Sequence, residues 1–179
     1  MNFFLKLIIL GIFLITNSSF LLANLNTPIF SNIECEITLE NDKSKLLTLD
    51  IADNFEKRSQ GLMNRKKLEP NSGMLFIWED SKIRNFWMKN TYFNLDLFFI
   101  NDEGTIVEIY KNAKAFDETN IISREKVKFV LEMNAGDIHA KIGDNLIKSL
   151  KWNNSRVRNG IPDNWISTWR DKKSNYKVG

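Results

Sequence analysis

Cysteine and histidine are nearly absent from this 179-residue chain, which has one of each. A lone Cys35 cannot close an internal disulfide, so no disulfide framework is expected. It stands in the alternating run Ile33-Glu34-Cys35-Glu36-Ile37-Thr38-Leu39, between two acids that disfavour a thiolate, and reads as an inert strand residue. A lone His139 excludes histidine-rich zinc sites and leaves little room for a Ser–His or Cys–His nucleophile pair. Charge of one sign is also missing. Lys and Arg number 25 against 22 Asp and Glu, a net +3 that gives no reason to expect nucleic-acid binding. The glycines do not form a phosphate-cradling loop, nothing repeats at a fixed period, and no segment is low in complexity.

The two ends differ from the middle. Lys6 precedes the apolar run Leu7 to Ile15, which Asn17-Ser18-Ser19 interrupts before the small residue Ala23. Residues 1–23 therefore read as a secretory signal peptide. The alternative is an uncleaved anchor, because adding Phe20, Leu21 and Leu22 brings the apolar stretch close to the ~20 residues of a membrane span. Either way the protein is expected to be exported, periplasmic or membrane-anchored facing the periplasm. Residues 24–32 read as a linker, and residues 33–150 as one domain. Residues 151–179 hold seven Lys or Arg and two Asp, with Trp165 and Trp169 four apart ahead of Arg170. This extension is either a helix docked on the domain or a basic aromatic segment that touches an anionic envelope surface.

Between the ends, short runs alternate or are wholly apolar. Glu34 to Leu39 and Leu46 to Ala52 suggest a hairpin across Asn41-Asp42-Lys43-Ser44. Asp53, with Glu56 three residues on, has the capping-box spacing and predicts a short helix to about Asn64, with Phe55 and Leu62 buried. Strands are predicted over Met74 to Trp78, Arg84 to Thr91, Leu95 to Asn101, Thr105 to Tyr110, Lys128 to Met133 and Leu146 to Leu150. Lys111 to Lys126 reads as a loop with an edge strand, and Asp137 to Ile142 as a second short helix. The fold class is mainly β, a compact barrel- or sandwich-like domain with one or two short helices.

Several polar residues fall where they are costly. Asp96 lies inside Leu95-Asp96-Leu97-Phe98-Phe99-Ile100, and Glu132 inside Phe129-Val130-Leu131-Glu132-Met133. Both faces of each run are apolar, so each carboxyl is expected to be buried and to need an answering group. Arg58 and Lys89 are cations in similarly apolar surroundings. The block from Arg58 through Gly61-Leu62-Met63, Gly73-Met74-Leu75-Phe76, Phe86-Trp87-Met88-Lys89-Asn90-Thr91 and Leu95-Asp96 resembles the domain-of-unknown-function family 192. The resemblance covers about residues 46–150. It implies a β-barrel-like domain with a short helix after an early strand, and it implies no established reaction. Lys114-Ala115-Phe116 departs from the family pattern by lacking a proline.

The residues that match the family motif, Arg58, Lys89, Asn90, Thr91, Asp96 and Glu132, are the candidate site. Three functions suit them. They converge on a pocket for a small polar or anionic ligand, since paired cations suit carboxylate or phosphate. Alternatively, Asp96 and Glu132 are the two carboxylates of a hydrolase. In the third reading the domain is a scaffold, and the extension with Trp165, Trp169 and Arg170 contacts the envelope. The competing structural explanation is buried ion pairing, Arg58 with Asp96 for example, that only fixes the fold. Trp78, Trp87, Phe76 and Phe86 read as core before they read as a ligand wall. Met63, Met74 and Met88 read as core filling before a soft-metal site, and no metal or cofactor is expected.

Overall fold

The structure, a computed structural model, describes residues 28–38, 44–146 and 151–152. Residues 31 and 32, expected as linker, open the first strand. The expected signal segment, residues 24–27 of the linker, and the extension beyond Trp152, with Trp165, Trp169 and Arg170, lie outside the described residues. So does the predicted Leu146 to Leu150 strand after its first residue.

Among the described residues, nine strands and one helix follow in chain order: β1 (Ser31–Thr38), β2 (Ser44–Ala52), α1 (Phe55–Gln60), β3 (Ser72–Lys82), β4 (Asn85–Phe86), β5 (Leu95–Ile100), β6 (Ile106–Ala113), β7 (Ile121–Ile122), β8 (Val127–Asn134) and β9 (Lys151–Trp152). The main sheet runs β6-β5-β8-β3-β2-β1-β9, and β4 and β7 make a separate two-stranded ribbon. All neighbours are antiparallel except β2 and β3. A parallel pair needs a crossover, and α1 lies on it. The mainly β expectation holds, but the sheet is open, with β6 and β9 as its edges, so it is not a barrel.

The sequence explains which strands are central. β5 is buried along its whole length, as are the middles of β3 and β8. A strand covered on both faces reads as a continuous apolar run, and these three do. In β2, buried Leu47, Leu49 and Ile51 alternate with more exposed residues. The sheet divides two cores. One gathers Leu47, Leu49, Leu75, Phe98, Phe129, Leu131 and Met133. The other gathers Met74, Phe76, Met88, Leu95, Leu97, Phe99 and Val130, with Leu62 from the crossover laid over it. The period-two alternation of side chains assigns the buried residues of β3, β5 and β8 to one core face or the other.

Three local expectations are corrected. The helix is capped by Asn54, whose Oδ1 accepts from the Lys57 amide at 2.9 Å, while Asp53 pairs with Lys57 Nζ at 3.0 Å. It stops at Gln60 because Gly61 takes a left-handed φ of 50°, and this short length leaves Phe55 exposed. Arg84 to Thr91 is not one strand. Only Asn85–Phe86 pairs, and a turn closed by Thr91 N–H to Met88 O (3.1 Å) follows, with Asn90 at φ 51°. Residues 137–142 are not helical. Buried Ile138 and Ala140 flank exposed His139, the period of an extended segment that covers the first core.

Gly73 sets how closely β3 and β8 approach. A Cβ there would sit 2.4 Å from the Glu132 carbonyl oxygen and 2.5 Å from Met133 Sδ. Gly73→Ala is therefore expected to destabilise the domain by about 1–3 kcal/mol in urea unfolding.

Candidate functional site

Register decides which candidate residues share a surface. Leu97 lies opposite Glu132, and Asp96 lies opposite Met133. Leu97 belongs to the second core and Met133 to the first. Glu132 and Asp96 therefore point to opposite faces of the sheet. No substrate bond can lie between them, and the hydrolase arrangement is not present.

Asp96 is buried and fully answered. The Asn112 amide donates to its Oδ1 at 2.8 Å, and the Gly136 amide donates to its Oδ2 at 2.9 Å. One carboxylate thus ties the left-handed Asn112 of β6 (φ 57°) to the turn that ends β8. Arg58 is not its partner. This is the ion-binding logic of a buried carboxylate met by donors rather than by a cation.

Glu132 is 5% exposed, and among the described residues no hydrogen bond reaches its carboxyl. Burial pushes its pKa up from 4.5 to about 8, and the only opposing influence is the charge of Arg65. Arg65 is itself engaged: its Nη1 lies 2.6 Å from Asp50 Oδ2, and its guanidinium sits 5.1 Å from the Phe30 ring centre. Asp50, Met74, Glu132 and Leu97 occupy one row across β2, β3, β8 and β5. Asp50 and Glu132 therefore share the second-core face.

Four other candidates lie in segments that cover that same face. Arg58 donates through Nη1 to the Ile77 carbonyl at 2.8 Å, and its guanidinium lies 5.4 Å from the Trp78 ring centre. Arg84 lies 4.3 Å from the same ring and pairs with Asp80 at 2.7 Å. Burial first, and then the Arg84 charge, lower the Arg58 pKa. Lys89 rests 5.2 Å from the Trp87 ring centre. Asn90 accepts from the Asn64 amide at 2.8 Å and so joins the turn at 88–91 to the loop after α1. Thr91 is buried, and its hydroxyl donates to the Lys89 carbonyl at 3.3 Å. Asn90 and Thr91 thus shape the turn. Neither Arg58 nor Lys89 is in an ion pair with a described carboxylate.

Arg65, Asp50 and Arg84 were not among the sequence candidates. Asp50 alternates with Leu49 and Ile51, as a solvent-facing strand residue would, and Arg65 lies in a loop without periodicity. Met74 and Met88 are buried in the second core, Met63 is half-buried, and Phe76 is buried while Trp87 is exposed. Among the described residues, no group of three or more His, Cys, Asp or Glu stands close enough to hold a metal ion.

Residues 37–147 match the domain-of-unknown-function family 192, described as an uncharacterized ACR. The chain belongs to this family. A crystal structure from Sinorhizobium meliloti 1021, described as a candidate transcription regulator, is 35% identical. The match covers 70% of this chain and 96% of that one, with a TM-score of 0.64. A protein of unknown function from Novosphingobium aromaticivorans DSM 12444 is 26% identical. That match covers 68% of this chain and 85% of that one, with a TM-score of 0.60. None of the curated proteins matches. The family assignment thus carries the fold and leaves the activity open.

The two carboxyls predict opposite experimental behaviour. Asp96→Ala leaves the part-buried Asn112 and Gly136 amides without their acceptor and is expected to cost about 1–3 kcal/mol in urea unfolding. Glu132 binds its proton more tightly in the folded than in the unfolded chain. Its contribution to stability is fully present below pH 4.5 and is lost as the pH rises to about 8. Within that window stability should fall by about 1.4 kcal/mol per pH unit from this residue. Glu132→Gln should remove that slope, measured by urea unfolding of both proteins from pH 5 to 8.

Proposed function

We propose that this family member is an exported binding module for a small polar ligand that carries an anionic group. One observation supports this reading above the others: Glu132 is 5% exposed and meets no hydrogen-bond partner among the described residues, where the one wholly sealed side-chain atom without a partner is Ser31 Oγ. Buried polar groups in folded proteins are nearly always paired, and an unpaired one calls for a water, an ion or a ligand. At neutral pH the carboxyl is mainly protonated, so it donates one hydrogen bond and accepts others. It suits a carbonyl, amide or carboxylate group of a ligand. Arg58 and Lys89, in segments covering the same face, supply positive charge outside any ion pair with a described carboxylate, although Asp53, Glu79 and Asp80 act on Arg58 from a distance. The Arg65–Asp50 pair holds the loop after α1 beside them.

Export follows in this reading from residues 1–23, as a cleaved signal or as an anchor. The ligand would then be an envelope metabolite or a fragment of an envelope polymer. The extension from residue 151 onward, with Trp165, Trp169 and Arg170, is proposed as a second contact with the envelope.

Thermal unfolding of the full chain against a panel of amino acids, dicarboxylates, sugar phosphates and acidic glycan fragments tests the reading. A true ligand at a hundredfold excess over its Kd should stabilise the protein by about 2.7 kcal/mol. Glu132→Gln should fold normally and lose most of that response. A panel that leaves the wild type unmoved, or a response that survives in both Glu132→Gln and Arg58→Ala, contradicts the proposed site.

A further inference from the structure

The β4–β7 ribbon and its flanking loops carry an unusual share of exposed apolar surface. Ile83, Trp87, Tyr92, Phe116 and Ile122 are each between 48% and 55% exposed. All five fall in two segments, 83–92 and 116–122, that are bonded to each other along their length. Asn85 lies opposite Ile122 in the ribbon, and Asn85 Nδ2 donates to Asn120 Oδ1 at 2.9 Å. The Met88 amide donates to the Asp117 carbonyl at 2.8 Å, and the Phe116 amide donates to the Thr91 carbonyl at 3.1 Å. The inner side of the ribbon is satisfied by the core. Ile121 is buried in the second core, Phe86 opposite it packs against that core, and Met88 lies within it. Residues on the other side of the pleat, Ile122 among them, face outward.

Phe116 is the residue that core packing does not explain. Its backbone lies in the left-handed region at φ 61°, where a bulky side chain is strained. The ring is more than half exposed and contacts Tyr92 edge-on at 4.9 Å. Glycine or asparagine would fit that backbone with less strain. The fold thus holds a phenyl ring toward solvent against the local backbone preference.

Cations accompany the aromatics. Residues 82–92 contain Lys82, Arg84 and Lys89 and no acid. Asp80 occupies Lys82 and Arg84, which leaves Lys89 over the Trp87 ring. Residues 111–126 contain four cations and three acids, with exposed Lys114 two residues before Phe116. The lobe is therefore aromatic and apolar, and with Asp80 counted residues 80–92 and 114–126 carry six cations and four acids, a net +2. Trp and Tyr settle at the headgroup level of a bilayer, and nearby lysines favour anionic lipid.

We propose that the β4–β7 lobe, through Trp87, Tyr92, Phe116 and Ile122 with Lys89 and Lys114, docks on an anionic phospholipid surface. The contact shares Lys89 with the proposed ligand site, but it requires neither Glu132 nor the extension after residue 150, and its test reads Trp87 rather than ligand binding.

The test uses the full chain and reads Trp87 alone, so that attachment by any other segment does not obscure it. The emission of wild type minus that of Trp87→Phe isolates this indole. With vesicles of brominated phosphatidylcholine containing roughly one third phosphatidylglycerol, the difference emission should shift to the blue and be quenched. Replacing both Lys89 and Lys114 by Ala should weaken the vesicle concentration dependence by about 25-fold, fivefold for each lysine. Phe116→Asn should raise the melting temperature, by relieving the left-handed strain, and yet reduce the quenching. A merely structural Phe116 would leave the quenching unchanged. Trp87 emission that ignores the vesicles while other tryptophans respond overturns the proposal in favour of contact elsewhere. Equal quenching with and without the anionic lipid overturns it as well, as does a blue shift that appears with protein concentration alone, which would mean a second copy of the chain.

Discussion

A sheet whose central strands are covered on both faces gives a polar side chain no access to water. Every charged or hydrogen-bonding group placed there must be answered by the protein, or remain unanswered at a cost of several kcal/mol. β3, β5 and β8 impose this condition, and the tight seam at Gly73 enforces it by bringing β3 against the Glu132 and Met133 backbone. Asp96 and Glu132 sit on adjacent rungs of the same strand pair under the same condition. One is met by two amide donors and fixes two loops. The other is met by none of the described residues, and burial keeps it mainly protonated. The contrast separates a structural carboxyl from a candidate functional one better than burial alone could, because both are equally buried.

The covering layer on the Glu132 face is built from non-repetitive chain rather than from regular elements. The loop after the six-residue helix is joined to the turn at 88–91 by the Asn64 amide and the Asn90 carbonyl, and that turn is itself bonded to Phe116 and Asp117. Short elements with few backbone bonds open more readily than a strand interior. The proposed ligand would reach Glu132 through this layer rather than through the sheet. The cation–aromatic contacts of Arg58 with Trp78 and Lys89 with Trp87 hold two positive charges in this layer without neutralising them.

Much of the fold was legible because two-sided burial leaves a plain mark. The middles of β3, β5 and β8 are apolar apart from Asp96 and Glu132, and a carboxyl in such a run is conspicuous. Which face each carboxyl takes was not legible. That depends on Leu97 standing opposite Glu132, and pairing register between strands some 35 residues apart in sequence leaves no local trace. Openness of the sheet escaped for a similar reason, since closure depends on whether the edge strands β6 and β9 meet. The segment from Arg84 to Thr91 misled because Phe86 and Met88 are both inward-facing at strand spacing, while a single left-handed Asn90 turns the chain. Arg65 and Asp50 escaped because each is an ordinary surface residue in its own segment, and only folding brings them together. Phe116 is the converse case: its sequence context departs from the family pattern, and the structure shows a strained, outward-facing ring there.

The most direct test of this account is the titration of Glu132 itself, followed through the carbon-13 shift of its carboxyl in selectively labelled protein. The account predicts a midpoint near 8, with Glu132 mainly protonated at neutral pH. A midpoint near the ordinary value of 4.5 would mean that the carboxyl is solvated or paired in solution, and the case for an unanswered, ligand-facing group would fall.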